Sequence, residues 1–330
     1  MTFRAVGLLI ALGVLVLIAM LSIAVGAKAI PMGTVIHELF HYDGSDNGVI
    51  IRSLRVPRTL IGLAVGAALG LAGAVMQGLT RNPLADPGVL GINAGAAAAI
   101  VTAIAALGLR TPSSYVWFGL VGAGIAAVAV YVLGSRGRSA ATPVRLALAG
   151  AVVTAVLGSF VGGLTLLDTT AFNDYRFWTV GSLATEPLAI LTATGPFLLA
   201  GLLLAVYLAR PLNALALGDD TGRALGAHLG RTRAAGMLAV TLLCGAATAT
   251  VGPIAFVGLT VPHVARAITG PDQRWVLPYS AVLAPILLLA SDIVGRLVAR
   301  PGEIQVGIVT AFIGAPVFIA IARRRRMAQL

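Results

Sequence analysis

The residues best placed for chemistry lie in one polar stretch, 214–230, with the sequence ALALGDDTGRALGAHLG. It contains two adjacent carboxylates, Asp219 and Asp220, and it lies between apolar segments that are each long enough to cross a bilayer. Asp219 is a suitable N-cap for a short helix, and both carboxylates are favoured at a helix N-terminus by the helix dipole. We therefore predict that this stretch lies outside the membrane and contacts another molecule.

Two pairs of side chains have types that occur in metal or proton chemistry. His37 and His41 are four residues apart and could share a helix face as metal ligands, but no third ligand lies nearby. We therefore interpret 31–53 as a solvated polar loop without a metal. His263 and Arg266 lie on one side of a helix near its end, where a histidine is more often a packing residue than part of a proton relay.

No nucleotide-binding or catalytic motif is found in the sequence. The only lysine, Lys28, follows no glycine-rich loop and precedes no serine or threonine, so the chain has no phosphate-binding loop. The single cysteine, Cys244, lies in an apolar run, which excludes an intrachain disulfide and indicates a packing role. We expect no enzyme activity and no cofactor on this chain, so any ATPase that drives it is a separate chain.

The composition indicates an all-α polytopic membrane protein. About 58% of the 330 residues are hydrophobic and only 11% are charged, which a soluble domain of this size does not tolerate. The formal charge of +11 comes from arginines at the ends of apolar runs, as in cytoplasmic loops, rather than from a nucleic-acid-binding surface.

The chain contains ten apolar runs that we predict to be membrane spans. They cover 5–25, 59–79, 89–109, 115–133, 144–167, 188–208, 234–251, 254–268, 277–298 and 304–322. The first run is longer than the apolar core of a signal peptide, about 7–15 residues, although the small residues at 27–29 leave cleavage as an alternative. In the second run, glycines recur every three or four positions, which predicts a helix buried among others.

The distribution of basic residues predicts the orientation of these spans. With ten spans both termini lie on one side, and 15 of the 23 lysines and arginines fall on that side. Cytoplasmic loops carry such an excess, so we predict that both termini and the stretch 214–230 are cytoplasmic. The exceptions lie outside: Arg52, Arg55 and Arg58 precede the second span, and Arg296 and Arg300 end the ninth. They either extend to lipid headgroups or form a basic docking surface.

Several motifs together resemble the FecCD-type permeases, the membrane subunits of ABC importers for iron-siderophores, haem and cobalamin. The first half carries RVPRTL at 55–60, GAVMQG at 73–78 and NPLADPGVLG at 82–91, in which Asn82, Pro83, Asp86 and Pro87 stand. The second half carries GPIAFVGL at 252–259, Pro262-His263 with Arg266, Asp292 with Arg296, and GAPVF at 314–318. The resemblance covers nearly the whole chain.

The resemblance implies one transmembrane permease domain, 1–330, of the type II ABC importer fold, with a cytoplasmic coupling insert at 212–230. It also implies a prokaryotic cell-membrane location beside lipid and a set of partners. These are a second permease subunit, two ATPase subunits that hold ATP and Mg, an extracytoplasmic solute-binding protein, and a large iron chelate. Nucleic acid is not among them.

The resemblance also assigns roles to individual residues. The coupling helices that sit on the ATPase match 215–226, with Leu215, Leu217, Gly218, Asp219, Asp220, Gly222, Arg223, Leu225 and Gly226. The positions that pair with glutamates of the binding protein match Arg55, Arg58 and Arg296, and the inner gate matches Thr142, Pro143, Val144 and Arg145. The fifth and tenth helices would line the pathway. This chain departs from the family pattern at Gly222, where alanine is usual, and at Gln305, where proline is common.

The function implied is uptake of a ferric siderophore by ATP-driven alternating access. Haem or cobalamin remains an alternative substrate, since nothing in the sequence separates the three. An ion-coupled secondary transporter is the alternative of another class, but it would bury ion ligands near mid-membrane, and the spans hold almost none outside Asp292.

Overall fold

The computed structural model describes residues 2–26, 28–135, 143–184, 188–224 and 228–323 as helices joined by short connections. The α-helices in these ranges are numbered in chain order: α1 (Thr2–Ala24), α2 (Met32–Phe40), α3 (Asp46–Val49), α4 (Val56–Thr80), α5 (Ile92–Leu107), α6 (Pro112–Ser135), α7 (Pro143–Leu167), α8 (Thr169–Trp178), α9 (Leu188–Tyr207), α10 (Ala209–Ala216), α11 (Asp219–Ala224), α12 (Leu229–Val251), α13 (Val257–Thr269), α14 (Gln273–Val298) and α15 (Val306–Arg323). The described ranges contain no β-strand, so the predicted all-α class is confirmed.

Each of the ten predicted spans coincides with a helix. Within the described ranges, seven helices are long and apolar enough to cross a membrane. One of these runs without a break from Asp46 to Thr80, because a π-helical stretch, Ile50–Arg55, joins α3 to α4. The other three predicted spans coincide with α5, α13 and α15. The prediction of a polytopic membrane protein is therefore confirmed.

The eighth crossing is not one continuous helix. α13 has 13 residues, which span about 20 Å at 1.5 Å per residue, less than the roughly 30 Å of a bilayer core. It follows the non-helical segment 252–256, in which Gly252 and Phe256 have positive φ angles of 78° and 67°. Non-helical backbone is tolerated at membrane depth when protein surrounds it or it lines a cavity. Here a Cβ on Gly314 would overlap Phe256, so the segment packs against α15.

The segment 31–53, predicted as a solvated loop, instead folds mainly as helices. Val35 of α2 is buried in a small apolar cluster with Ile51. Glu38 is buried as well, and its carboxylate accepts a hydrogen bond from the Ser45 hydroxyl at 3.2 Å. The loop prediction was wrong because the apolar positions of this short helix are few and its burial depends on contacts with 50–55. The rings of His37 and His41 stack with centroids 5.5 Å apart.

Helix α4 is at the centre of the bundle, as its glycine spacing predicted. Gly62, Gly66, Gly70 and Gly73 face neighbouring helices, and a Cβ on Gly66 would lie 2.6 Å from Cα of Pro285 in α14. A Cβ on Gly70 would overlap the Ser280 carbonyl of α14, and one on Gly73 would overlap Gly258 of α13. Close approach of helix backbones through small residues is the packing that membrane helices favour.

Replacing Gly66 with alanine should destabilise the protein, because the added methyl group meets backbone atoms of Pro285 that cannot rotate away. We expect a loss of about 1–3 kcal/mol and a lower melting temperature of the purified protein in detergent. Gly13→Ala in α1 is the control, since its Cβ would meet nothing within 4 Å among the described residues. That control should raise the stability by up to about 1 kcal/mol, because alanine is the better helix former and meets no neighbour. Equal melting temperatures for both variants would show that α4 does not depend on this contact.

Candidate functional site

The predicted coupling segment forms two short helices at one end of the bundle, which we call the coupling end. α10 is held by Leu212 and Leu215, both completely buried, and Gly218 turns the chain with φ of 100° before α11 begins. The amide of Gly222 donates to the carbonyl of Gly218 at 2.9 Å. A polar segment between two spans therefore folds against the bundle through a few leucines.

Asp219 connects the coupling segment to two long helices. Its carboxylate accepts from the Arg233 guanidinium at 2.8 Å and from the Arg81 guanidinium at 3.3 Å. Arg233 lies in the first turns of α12, and Arg81 follows the last residue of α4 in a left-handed conformation with φ of 49°. The same carboxylate thus joins the end of α4 and the start of α12, besides being favoured at the N-terminus of α11.

A second connection joins the coupling segment to α14. The side-chain amide of Asn213 donates to the Asp272 carboxylate at 2.7 Å and accepts from the backbone amide of Gln273 at 2.8 Å. Asp272 is the N-cap of α14, accepting from the backbone amide of Arg274 at 3.0 Å. Hydrogen bonds from the Arg274 side chain, and then from Asn213, lower the pKa of Asp272 to about 2, so this carboxylate stays ionised.

The coupling segment presents only part of its surface to the outside. Leu217 is 60% exposed and Asp220 is also exposed. Gly222 is buried, and a Cβ there would lie 3.1 Å from the Ala214 carbonyl oxygen, so alanine at this position would crowd α10. The side chain of Arg223, and the whole of Leu225 and Gly226, lie outside the described residues.

The opposite end of the bundle holds a buried charge cluster, and we call it the arginine end. Asp292 of α14 is completely buried, and its two oxygens accept from the Arg58 guanidinium at 2.7 and 3.0 Å. Arg296, one turn further along α14, lies 3.0 Å from the same carboxylate. Arg58 also donates to Glu303 at 2.7 Å. Two cations and two anions thus neutralise each other where a bidentate pair is geometrically favoured.

Arginines at this end also complete the C-terminus of α1. Arg296 donates to the carbonyls of Ser22 and Val25 at 2.9 and 2.6 Å, and Arg55 donates to the carbonyl of Ala24 at 2.6 Å. The last carbonyls of a helix have no partner within the helix, and the negative end of its dipole favours cations. These guanidinium groups therefore hold α1, most of which faces outward, against the bundle.

The burial of these arginines bears on the docking surface predicted from sequence. The exposed fractions of Arg55, Arg58 and Arg296 are 5%, 8% and 1%, and the guanidinium groups bind acceptors within the chain. The exposed basic side chains at this end include Lys28, Arg52 and Arg300. Docking by the three buried arginines stays a prediction. In the structure their guanidinium groups connect α1, α4 and α14 to one another.

The motif at 82–88 forms a compact turn after α4. Asn82 accepts from the amide of Leu84 at 3.0 Å, and Asp86 accepts from the amide of Gly88 at 2.7 Å, which starts a 3₁₀ turn, Pro87–Leu90. Pro83 turns the chain between them, and Pro87 is buried against Gly258 at the start of α13. The prolines and glycine that predicted a turn thus form one, and it also supports the interrupted eighth crossing.

The second motif places Pro262, His263 and Arg266 on α13. Pro262 is buried and His263 is half-buried. The guanidinium of Arg266 donates to the side-chain carbonyl of Gln77, whose amide group donates to the carbonyl of Leu259 at 3.0 Å. α13 and α4 are therefore joined by side chains as well as by their glycines.

The described part of the predicted gate lies at the exposed start of α7. Val144 is 69% exposed, and Arg145 is exposed too. Thr142 and the side chain of Pro143 lie outside the described residues. At the start of α15, the carbonyl of Gln305 accepts from the amide of Ile308 at 3.1 Å, so the chain enters this helix without the proline that is common there.

The hydrogen-bond partners that hold these clusters together were not predicted from the sequence. Arg81 and Arg233 were counted only among the basic residues of the cytoplasmic side, Gln77 appeared only within the GAVMQG motif, and Asn213 and Ser22 were not singled out. A signal existed for Arg233, which follows Asp219 by 14 residues at the start of an apolar run, but not for Arg81, which is 138 residues away. The polar residues Asn213, Gln77 and Ser22 carry no such signal, because their role depends on helices far apart in the chain.

The fold defines a multi-pass all-α membrane protein, with the predicted coupling segment at one end. It is similar to a solved inward-facing metal-chelate type ABC transporter, with a TM-score of 0.85 and 26% identity, covering 97% of this chain and 99% of that one. It is 47% identical over 312 residues to the ferric enterobactin transport system permease protein FepD of Escherichia coli (strain K12), covering 94% of this chain and 93% of that protein.

A more distant relative is the hemin transport system permease protein HmuU of Yersinia pestis, 37% identical over 279 residues and covering 83% of each chain. The model of the FecCD transport family matches residues 14–324. This chain belongs to the FecCD transport family, and the resemblance predicted from its motifs is confirmed.

Replacing Asp292 with asparagine should destabilise the protein strongly, because Arg58 and Arg296 would then face each other in a buried site without their shared anion. Breaking a buried pair by removing one partner costs about 3–5 kcal/mol, which should lower the melting temperature in detergent. Arg274→Gln is the control, since it breaks the exposed pair with Asp272 and should cost about 0–1 kcal/mol. A melting temperature for the Asp292 variant no lower than that of the control would contradict the anchoring role.

Proposed function

We propose that this chain is the membrane-spanning permease subunit of a binding-protein-dependent ABC importer that takes up ferric siderophores. The observation that carries the proposal is the coupling segment, an exposed insert that is bonded to three long helices of the bundle. The relatives named above support the substrate class, since FepD is a ferric enterobactin permease by name. A cognate ATPase chain holds ATP and Mg, and both termini of the permease lie in the cytoplasm, as the basic residues favour.

The coupling segment would transmit movement of the ATPase through identified contacts. A push on α10 and α11 reaches α4 and α12 through Asp219 and reaches α14 through Asn213. These ties are side-chain hydrogen bonds between rigid helices, so the helices move with the segment rather than independently of it. Leu217 and Asp220, which are exposed, supply the surface that contacts the ATPase.

The translocation pathway would run between this chain and a second permease subunit, along α7 and α15. α7 carries a stripe of outward-facing residues at a spacing of four, from Val144 through Val152 to Phe160. Gly158 and Gly162 on the same helix have open space where a Cβ would stand. Small residues in open positions let another helix approach closely, which favours a protein neighbour here. The non-helical segment 252–256, beside α15, would then lie next to the pathway.

The solute-binding protein would dock at the arginine end. Lys28, Arg52 and Arg300 are exposed there and suit carboxylates of a partner. Arg55, Arg58 and Arg296 would support this surface from beneath by fixing the helices that carry it. On docking of the loaded binding protein, ATP binding on the partner ATPase would close the ATPase dimer, and hydrolysis would reset the pathway.

The two adjacent carboxylates allow a paired test of coupling. Asp220→Lys should release the ATPase on co-purification, because it reverses a charge on the exposed face of the coupling segment. Asp219→Asn should retain the ATPase but lower solute uptake per ATP hydrolysed, because it weakens the links to Arg81 and Arg233. Normal association and uptake in the Asp220 variant would contradict the proposed contact.

Transport itself is tested in proteoliposomes that contain the permease, its ATPase and the binding protein loaded with a ferric siderophore. We expect uptake of radiolabelled iron only with ATP on the ATPase side, and no uptake driven by an imposed ion gradient. Uptake without ATP would favour a secondary transporter and overturn the proposal. Stimulation by binding protein loaded with haem or cobalamin, and not with a siderophore, would replace the substrate class while leaving the importer intact.

A further inference from the structure

An apolar groove opens on the outer surface of the bundle between α6 and α12. The two helices are close near the arginine end, where a Cβ on Gly119 would lie 3.2 Å from the Cβ of Ala249 and one on Gly245 would lie 3.1 Å from that of Ala123. Towards the coupling end they separate and leave a groove of about 870 Å³. Gly124, Val128 and Val132 line one wall, and Leu238 and Leu242 line the other.

An aromatic pair closes one end of the groove. The rings of Trp117 in α6 and Phe197 in α9 meet edge to face with centroids 6.2 Å apart, and both residues line the end towards the arginine cluster. From Gly124 to Val132 the wall rises about 12 Å, close to the depth of one leaflet, which is about half of the 30 Å bilayer core. An elongated apolar molecule in the groove would therefore extend from the aromatic pair towards the coupling end.

Arg231 places a positive charge at the coupling end of the groove. Arg231, in the first turn of α12, is exposed and has no hydrogen bond or ion pair among the described residues. It belongs to the helical stripe that continues through Ala234, Leu238 and Leu242 of the groove, at spacings of three and four. Tyr131, at the same end of the other wall, likewise has a hydroxyl without a partner in the described ranges.

We propose that this groove binds an anionic phospholipid from the leaflet at the coupling end. Its phosphate group pairs with Arg231, its ester region reaches the Tyr131 hydroxyl, and an acyl chain lies between α6 and α12. An exposed arginine beside an apolar groove matches the charge and shape of such a lipid. Arg233, two residues along, belongs to the Asp219 link, so the lipid would also hold the start of α12 beside the coupling segment.

The experiment is native mass spectrometry of the purified full chain, titrated with dioleoyl phosphatidylglycerol and with dioleoyl phosphatidylcholine. We expect one phosphatidylglycerol to bind about fivefold more tightly than phosphatidylcholine, the factor expected for one arginine near an anionic surface. Arg231→Gln should abolish this preference. Arg210→Gln, which removes another exposed arginine at the coupling end, should retain it.

A second pair of variants tests the groove itself. Val128→Trp fills the groove and should weaken binding of both lipids, whereas Val16→Trp on α1, at a valine of similar exposure, should not. Equal affinities for the two lipids in the wild type, or a preference that survives Arg231→Gln, would overturn the proposal. So would a cross-link from Val128→Cys to a second copy of this chain or to another polypeptide in native membranes. The native Cys244 is buried, so we do not expect it to form such a cross-link itself.

Discussion

The structure depends on the close approach of other helices to the glycine face of α4. Because Gly66, Gly70 and Gly73 carry no side chain, backbone atoms of α13 and α14 can occupy the space where Cβ atoms would stand. Two helices in a bilayer gain no hydrophobic free energy when they exchange lipid contacts for contacts with each other. Van der Waals packing at such short distances therefore supplies much of the free energy of their association. The two polar ends are then attached to the ends of one central helix, at Arg58 and Arg81.

The distance between these two arginines, 23 residues along the helix, is about 35 Å, so α4 reaches across the bilayer core. At one end Arg58 binds Asp292, and at the other Arg81 binds Asp219. Movement of the coupling segment would therefore reach the arginine end through a rigid helix, which fits the importer that we propose. Buried arginines also anchor α1, whose own surface is mostly exposed.

The apolar surfaces outside this core differ in residue type, and each type favours a different kind of neighbour. α1 exposes long side chains such as Leu9 and Met20, as a lipid-facing helix does. α7 carries two open glycines four residues apart, Gly158 and Gly162, a spacing that favours close approach of another helix. The groove beside α12 ends near an exposed arginine, which favours a lipid with an anionic headgroup. The proposed subunit interface and the proposed lipid site thus lie on different faces.

The sequence alone determined the class, the positions of the ten apolar helices, the buried character of α4 and the family, because hydrophobic run length and glycine spacing are local properties. It also located the coupling stretch, since a polar insert between apolar runs is visible without a fold. The tertiary structure alone decided what the charged residues do. From the sequence, Arg55, Arg58 and Arg296 were predicted to be external charges. In the structure they bind carbonyls of α1 and the carboxylate of Asp292, which lie up to 274 residues away in the chain. Asp219 likewise binds Arg81 and Arg233 of the bundle, whereas its neighbour Asp220 is exposed. Which partner a charge meets is set by helices that are distant in sequence, and no local pattern records it.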